Sequence, residues 1–201
     1  LALKTMRVLE IGGAGRLGQL LSGGVREYVL LDYSEQALNR ARSVLNGCPG
    51  TSCVLGDMFT YEPDEPFDLV LSMGLIEHFF GDEKQAVVDA HHRIAAGHIC
   101  IGAPSDTPCN WWRHFEYERT KLYPSQRPVG EREMFDLCQA AGMRPVAMTR
   151  IDPTYGAGLG RFRQLIAARL AASWPDRRWG VDRPDGGLVV MLAEKAAGAV
   201  G

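Results

Sequence analysis

Two acidic residues stand beside features that bind nucleotides in α/β proteins. Glu10 follows a short apolar run and precedes Gly12, Gly13 and Gly15, and Asp32 ends the next apolar run. Glycines let the main chain turn sharply and approach a ligand closely, and a carboxylate at Asp32 can accept hydrogen bonds from ribose hydroxyls. A pyrophosphate cofactor gains nothing from a carboxylate beside its phosphate-binding turn. Glu10 therefore favours a nucleotide-like cofactor that carries positive charge, such as a sulfonium and an ammonium group.

Two histidines are candidates for a general base. His78 follows the apolar run that begins at Phe67, and His114 lies in a segment rich in aromatic residues. A neutral imidazole accepts a proton near neutral pH, as the deprotonation of a phenol, an alcohol or an ammonium group requires. The alternative for His78 is a structural hydrogen bond that anchors its loop, and the sequence leaves both interpretations open.

Residues 104–130 form a connector that is too long to be a simple turn. The segment follows the predicted fifth strand, so it leaves the carboxyl edge of the sheet, where ligands bind in open α/β proteins. We predict a substrate lid whose aromatic side chains enclose an organic acceptor and exclude water. The side chains predicted to bind the acceptor are Trp111, Trp112, Phe115 and Tyr117. The alternative is that the two tryptophans fill a small core beneath a long loop.

Strands that alternate with helices must position these side chains. Apolar runs predict strands near residues 7–11, 27–32, 51–55, 67–73 and 97–103, and two final strands at 143–151 and 188–194. Capping signals and periodicity predict helices near residues 16–22, 35–46, 83–95 and 131–141. This alternation is typical of an α/β protein whose parallel sheet is covered by helices on both faces. The predicted sheet has about seven strands.

Five segments carry acids or glycines around the ends of predicted strands. They are Glu10–Gly12, Asp32–Leu38, Leu55–Met58, Phe67–Phe79 and Gly97–Pro104. In this order they resemble the motifs of the class I S-adenosylmethionine-dependent methyltransferases, although the glycine loop is one residue shorter than is usual in that family. The resemblance implies a Rossmann-like, doubly wound sheet that is mostly parallel, with an antiparallel final strand. It also implies S-adenosylmethionine as the cofactor.

The resemblance further implies a cofactor site at the carboxyl ends of the first four strands. Its residues are Glu10, Gly12, Gly13, Gly15, Asp32, Tyr33, Asp57, Met58, Ser72 and Met73. In the family the second acid binds the ribose, the third binds the adenine amino group, and the residue after the third flanks the ring. Some members bind magnesium through an acid three residues before a Glu-His pair. That position is Gly74 here, so no metal is expected.

The implied activity is methyl transfer to an oxygen or nitrogen atom of a small molecule, as a tailoring step in biosynthesis. The family branch that methylates amino groups of nucleic-acid bases has an Asn/Asp-Pro-Pro-aromatic motif after the fourth strand, whereas this chain has Ser72-Met73-Gly74-Leu75. One alternative is a methyltransferase-like fold without transfer activity. A less favoured one is a short-chain NAD(P)-dependent oxidoreductase, whose Tyr-x-x-x-Lys signature matches Tyr117 and Lys121, with Ser105 upstream.

Composition is that of an ordinary globular protein. Hydrophobic residues make up 46% and charged residues 23% of 201 residues, which predicts a single domain over residues 1–201. A formal net charge of −2 argues against nucleic acid as a partner, and no apolar run is long enough to span a membrane. Five cysteines without a CxxC pair predict reduced thiols in a cytoplasmic protein.

Residues 152–187 separate the last two predicted strands. They contain a helical run at 161–172 and a loop rich in Trp, Arg, Pro and Gly. We expect an insertion that caps the sheet edge or serves an oligomer contact. The sequence does not determine the oligomeric state, nor whether a further segment precedes Leu1 in the natural chain.

Overall fold

The computed structural model describes residues 3–121, 125–151 and 187–195. The strands are β1 (Arg7–Ile11), β2 (Glu27–Asp32), β3 (Thr51–Leu55), β4 (Phe67–Met73), β5 (Ala95–Pro104), β6 (Met143–Ile151) and β7 (Leu188–Lys195). The α-helices are α1 (Arg16–Leu21), α2 (Glu35–Leu45), α3 (Asp82–Ile94), α4 (Pro108–Thr120) and α5 (Glu131–Ala140). Short 3₁₀ helices cover Leu3–Thr5 and Ile76–His78. Every predicted strand and helix that lies within the described residues is present, with ends within two residues of those expected.

The described strands form one sheet in the order β3-β2-β1-β4-β5-β7-β6. Strands β1 to β5 pair in parallel, and β7 is antiparallel to both of its neighbours, β5 and β6. The predicted doubly wound sheet with an antiparallel final strand is confirmed. The strand order reverses between β1 and β4, and open α/β sheets bind ligands at the carboxyl ends of the strands at such a switch point.

Helices cover both faces of the sheet. Helices α3 and α5 pack over one face, whose core includes Val70, Ile99 and Met191, and α1 and α2 pack over the other, whose core includes Val8 and Leu30. Strands that are buried on both faces read as nearly continuous apolar runs. The strand bounds were therefore predictable from the sequence.

The predicted lid segment contains a helix that the sequence analysis did not predict. Helix α4 begins after Thr107, whose side chain accepts a hydrogen bond from the Asn110 amide at 3.4 Å, and Pro108 occupies its first turn. Both are ordinary helix-start signals. The helix ends at Lys121, which has a φ of 51°. The connector thus contains helix α4 and, at residues 125–130, a segment that we call the return segment.

The last two strands bring the chain back to the carboxyl edge of the sheet. Leu188 pairs with Pro104 at the end of β5 and with Ile151 at the end of β6. The predicted insertion therefore leaves and re-enters the sheet at the edge where the site is expected. The predicted helical run at 161–172 lies outside the described residues.

Candidate functional site

The turn after β1 is built from glycines that no other residue replaces without strain. Gly12 and Gly15 have φ values of 70° and 78°, which L side chains rarely adopt. The Gly12 amide donates to the Leu31 carbonyl at 2.9 Å, which ties the turn to the end of β2. A side chain on Gly15 would also lie 3.2 Å from the Ala41 carbonyl of α2. The turn therefore has one fixed course above the carboxyl ends of β1 and β2.

Glu10 lies beneath this turn and not on its surface. Its side chain is buried, with 3% exposure, and accepts a hydrogen bond from the hydroxyl group of Tyr28. A β-carbon on Gly13 would fall 2.2 Å from the Glu10 carboxyl carbon, so the carboxyl group lies directly against Gly13. Burial raises the pKa of Glu10 to about 7. The acid predicted to face the cofactor thus supports the turn from below.

Asp32 and Asp57 lie at the ends of adjacent strands. The Gly56 amide donates to the Asp32 carbonyl at 3.0 Å, which brings the two strand ends together. Asp32 Oδ1 accepts from the Ser34 amide at 2.8 Å, and Asp57 Oδ1 accepts from the Phe59 amide at 2.9 Å. Each carboxylate therefore has one oxygen fixed by the main chain, which orients the other. Two oriented acids at one edge suit a ligand with several hydroxyl and amino groups.

The residues that directly follow the two acids, Tyr33 and Met58, differ in their exposure to solvent. Tyr33 is 83% exposed beside Asp32, whereas Met58 is buried in the core. The loop that begins at Asp57 is held by Arg93 of α3, which donates to the carbonyls of Met58 and Phe59 at 2.9 and 3.2 Å. Arg93 is a positioning residue that the sequence analysis missed, because its partners are distant in the chain.

Ser72 and Met73 end β4 on opposite faces of the sheet. Ser72 is fully buried, and its hydroxyl group lies 2.9 Å from Nε2 of His91 on α3. The other ring nitrogen of His91 lies 2.8 Å from the Val87 carbonyl, so it carries the hydrogen and Nε2 accepts from Ser72. Met73 lies over Gly102 of β5. Because the Ser72 side chain binds His91, only its main chain is left to contact a cofactor.

His78 and His114 converge on the return segment that follows α4. Nδ1 of His78 lies 3.1 Å from the Ser125 carbonyl, and Nδ1 of His114 lies 3.0 Å from the Gln126 carbonyl. A carbonyl oxygen only accepts, so both rings carry their hydrogen on Nδ1 and present Nε2 as the basic atom. Nε2 of His78 lies 3.4 Å from the Gln126 side-chain amide. The two predicted bases thus lie on either side of one short segment.

The aromatic side chains of α4 flank His114. The ring of Trp111 meets His114 edge-on at 5.6 Å between centroids, and Phe115 lies 5.5 Å from the same imidazole. Arg127 lies over the Trp111 ring at 5.8 Å. Phe115 is 62% exposed and Trp111 is half-buried, so at least these two rings of α4 are accessible from solvent. The side chain of Trp112 lies outside the described residues; Tyr117 is half-buried.

Two further buried polar residues join the lid to the sheet. Asn110 donates to the carbonyls of Ser105 and Gly187 at 2.7 and 2.9 Å. Glu77 is buried at the end of the loop after β4, and its carbonyl accepts from the Arg127 amide at 2.9 Å. A sequence motif does not reveal these contacts, because each pairs positions that are far apart in the chain.

No group of three or more acids, histidines or cysteines in the described part of the chain is arranged to hold a metal ion. Within the same residues, no helix has the length and apolar character needed to cross a membrane.

The fold and the glycine turn with its two strand-end acids resemble those of the class I S-adenosylmethionine-dependent methyltransferases. Residues 8–97, which contain the turn, both acids and β2 to β4, match the family described as a methyltransferase domain. This part of the chain is therefore similar to a methyltransferase domain.

Named proteins that are similar to this chain are consistent with a methyltransferase domain. The chain is 28% identical over 134 residues to nodulation protein S of Rhizobium tropici, in a match that covers 64% of this chain and 56% of that protein. The chain therefore spans little more than half the length of this relative. A solved structure from Thermotoga maritima, described as a possible histamine N-methyltransferase, superposes with a TM-score of 0.68 at 20% identity, covering 96% of this chain and 84% of the other.

A second solved structure is the N-methyltransferase NodS from Bradyrhizobium japonicum, in complex with S-adenosylhomocysteine. It superposes with a TM-score of 0.63 at 15% identity and covers 95% of this chain and 79% of its own. At this identity the likeness establishes the shared fold.

Proposed function

We propose that this protein transfers the methyl group of S-adenosylmethionine to an oxygen or nitrogen atom of a small molecule, as a tailoring step in biosynthesis. One observation carries the proposal. The glycine turn, the two oriented acids, the aromatic helix α4 and the two imidazoles lie at the same edge of the sheet, because all follow strands that end there.

The residues at this edge fit the cofactor. Asp32 keeps one carboxylate oxygen on the Ser34 amide and directs the other to the ribose hydroxyls. Asp57, linked to Asp32 through Gly56, takes the adenine amino group. Gly12 leaves the main chain bare where the cofactor passes, and Gly15 lets the turn pack against α2. Tyr33 and the main chain of Ser72 and Met73 complete the proposed contacts.

The methyl donor supplies a carbon attached to a positively charged sulfur, which is a strong leaving group. The protein's contribution is to hold the acceptor in line with that carbon, and such positioning can supply several kcal/mol of the barrier reduction. Trp111 and Phe115 form the exposed aromatic face of α4. Such rings enclose an apolar acceptor and exclude water, as the predicted lid requires.

His114 is the better placed of the two candidate bases. Its Nδ1 hydrogen binds the Gln126 carbonyl, which orients Nε2 and fixes it as the acceptor of a proton. His78 is held by the same segment through both ring nitrogens, which favours an anchoring role and leaves it as the second candidate. An acceptor that is already nucleophilic would need neither.

The relatives' names favour an amine acceptor. NodS is named as an N-methyltransferase, and the Thermotoga structure is described as a possible histamine N-methyltransferase. A small molecule is proposed over a nucleic acid because the net charge is −2 and the sequence after β4 lacks the motif for bases. The oxidoreductase alternative loses its support here, since Lys121 is exposed and paired with Glu118.

A ligand-binding comparison tests the proposal. Saturating S-adenosylhomocysteine, at about a hundred times Kd, should raise the unfolding free energy by about 2.7 kcal/mol, whereas NADPH should produce no shift in the melting temperature. A shift with NADPH alone would contradict the proposal. Methyl transfer from labelled S-adenosylmethionine to a panel of small amines, phenols and alcohols then separates an active enzyme from an inactive relative.

The expected cytoplasmic location also remains a proposal. Cys48, Cys53, Cys100 and Cys138 are free thiols, as a reducing compartment requires.

A further inference from the structure

Glu10 and Tyr28 form a buried acid and hydroxyl pair that the glycine motif makes room for. Tyr28 is fully buried and its hydroxyl group donates to Glu10 Oε2. A side chain on Gly13 would start 2.2 Å from the Glu10 carboxyl carbon, and one on Gly18 would start 2.4 Å from Cε1 of Tyr28. Two glycines of the motif Gly13-x-Gly15-x-x-Gly18 are therefore required by this pair. The side chains of the pair therefore pack directly against the main chain of the turn and of α1.

The described residues place no cation against the Glu10 carboxyl group. On α1, Arg16 is exposed and reaches Gln19. On α2, Arg42 pairs with Glu35 at the surface. Burial is the cause that raises the pKa of Glu10 to about 7, with no charged neighbour contributing.

The acids on the neighbouring strands are also engaged elsewhere. Glu27 of β2 and Asp68 of β4 both bind Arg7, at 2.6 and 2.7 Å, near the start of β1. Asp32 binds the Ser34 amide. Tyr28 is thus the titratable side chain that faces Glu10 within the described residues.

We infer that Glu10 releases a proton when the cationic cofactor binds at the glycine turn, and that Tyr28 is the positioning residue that holds the carboxylate formed. The inference rests on the proposed function, because S-adenosylmethionine supplies the positive charge of a sulfonium and an ammonium group. The Glu10 carboxyl group is buried against Gly13 of the turn, and in such buried surroundings the attraction between opposite charges is stronger than in water. The O–H bond of Glu10 breaks, and the proton passes to solvent.

The sign of the pH dependence follows. Below about pH 7 the free protein holds Glu10 mostly protonated, so binding must displace the proton and is weakened. Above that pH the carboxylate is already formed and binding costs no proton. The Kd for S-adenosylmethionine should therefore fall by up to about tenfold per pH unit as pH rises towards 7, and then level off.

Titration calorimetry in two buffers of different ionisation enthalpy counts the protons released on binding. At pH 6.5 we expect wild-type protein to release more than half a proton with S-adenosylmethionine, and less with S-adenosylhomocysteine, which lacks the sulfonium charge. Glu10→Gln should release none and bind with a Kd that does not change between pH 6 and 8. Tyr28→Phe removes the donor that favours the carboxylate, so the midpoint of its pH profile should move upward.

Three results would overturn the inference. They are tight wild-type binding without proton release, proton release that persists in Glu10→Gln, and a Tyr28→Phe profile identical to that of the wild type. In each case the proposed function survives. Failure of both nucleosides to bind wild-type protein at any pH would instead reject the proposed function. The proton count on the wild type stands even if a variant does not fold.

Discussion

His78 and His114 hold the carbonyl groups of two consecutive residues, Ser125 and Gln126, at 3.1 and 3.0 Å. One histidine follows β4 and the other lies on α4. Both histidines therefore contact the return segment. This arrangement links the loop after β4 to helix α4 through residues 125 and 126.

The two imidazoles should respond differently to substitution. His114→Ala removes the proposed base and should lower kcat by about 10²–10⁴-fold with little change in cofactor affinity. His78→Ala should instead raise KM for the acceptor and lower the melting temperature, because it loses two contacts to the return segment. Steady-state kinetics on both variants and on the double variant test this assignment.

Reversed effects would assign the base to His78. Full activity in the double variant would mean that alignment alone suffices for an acceptor that is already nucleophilic.

Asp32 should be needed for cofactor binding and not for folding. Asp32→Ala removes charge-assisted hydrogen bonds to the ribose, which are worth about 1.5–3 kcal/mol each, so Kd for S-adenosylhomocysteine should rise by at least about tenfold. Asp32→Asn keeps an acceptor for the Ser34 amide and isolates the loss of charge. Asp64→Ala, at an exposed acid outside the proposed site, is the matched control and should bind normally. Unchanged affinity in folded Asp32→Ala would place the ribose elsewhere.

The buried acid should make the cofactor-free protein less stable as pH rises. The pKa of Glu10 is raised from 4.5 to about 7, so its contribution is fully present below pH 4.5 and is lost as pH increases through 7. At about 1.4 kcal/mol per pKa unit, the loss approaches about 3 kcal/mol at pH 8. Denaturant unfolding should show this decline relative to Glu10→Gln, whose side chain does not titrate. Parallel pH profiles for the two proteins would contradict the prediction.

His91 should destabilise the protein in acid. Burial lowers its pKa from 6.5 to about 4, so the stability from its neutral form is present above pH 6.5 and is lost as pH falls towards 4. The cause is desolvation, because the imidazole is fully buried and its protonated form would place a positive charge in the core. Unfolding of His91→Gln should be less sensitive to pH over this interval. Ser72→Ala, which removes the partner but keeps the histidine, should retain the acid sensitivity.

Most features of the fold that depend on residues close together in the sequence were predicted correctly. The glycine turn and Asp32 follow from their positions at the ends of apolar runs, and the turn geometry agrees, with positive φ at Gly12 and Gly15. Helix α4 was not predicted although Thr107 and Pro108 signal its start, because its aromatic residues give only a weak amphipathic pattern.

Contacts between distant residues were beyond prediction. Whether Glu10 faces the cofactor or lies beneath the turn depends on Tyr28, a position of the next strand. The face to which Ser72 points depends on its partner His91 on α3. The predicted cofactor and acceptor contacts themselves remain predictions, since they concern bound molecules.

The position of β7 sets the order in which the sheet can be completed during synthesis. Within the described sheet, β6 pairs with β7 and with no other strand, and β7 also covers the outer edge of β5. A nascent or truncated chain that ends before Leu188 consequently leaves two strand edges without the partner they have in the described sheet, the outer edge of β5 and one edge of β6, which favours association between chains. Of the described strands, β7 is therefore the last to be synthesised and the one that joins β6 to the rest of the sheet.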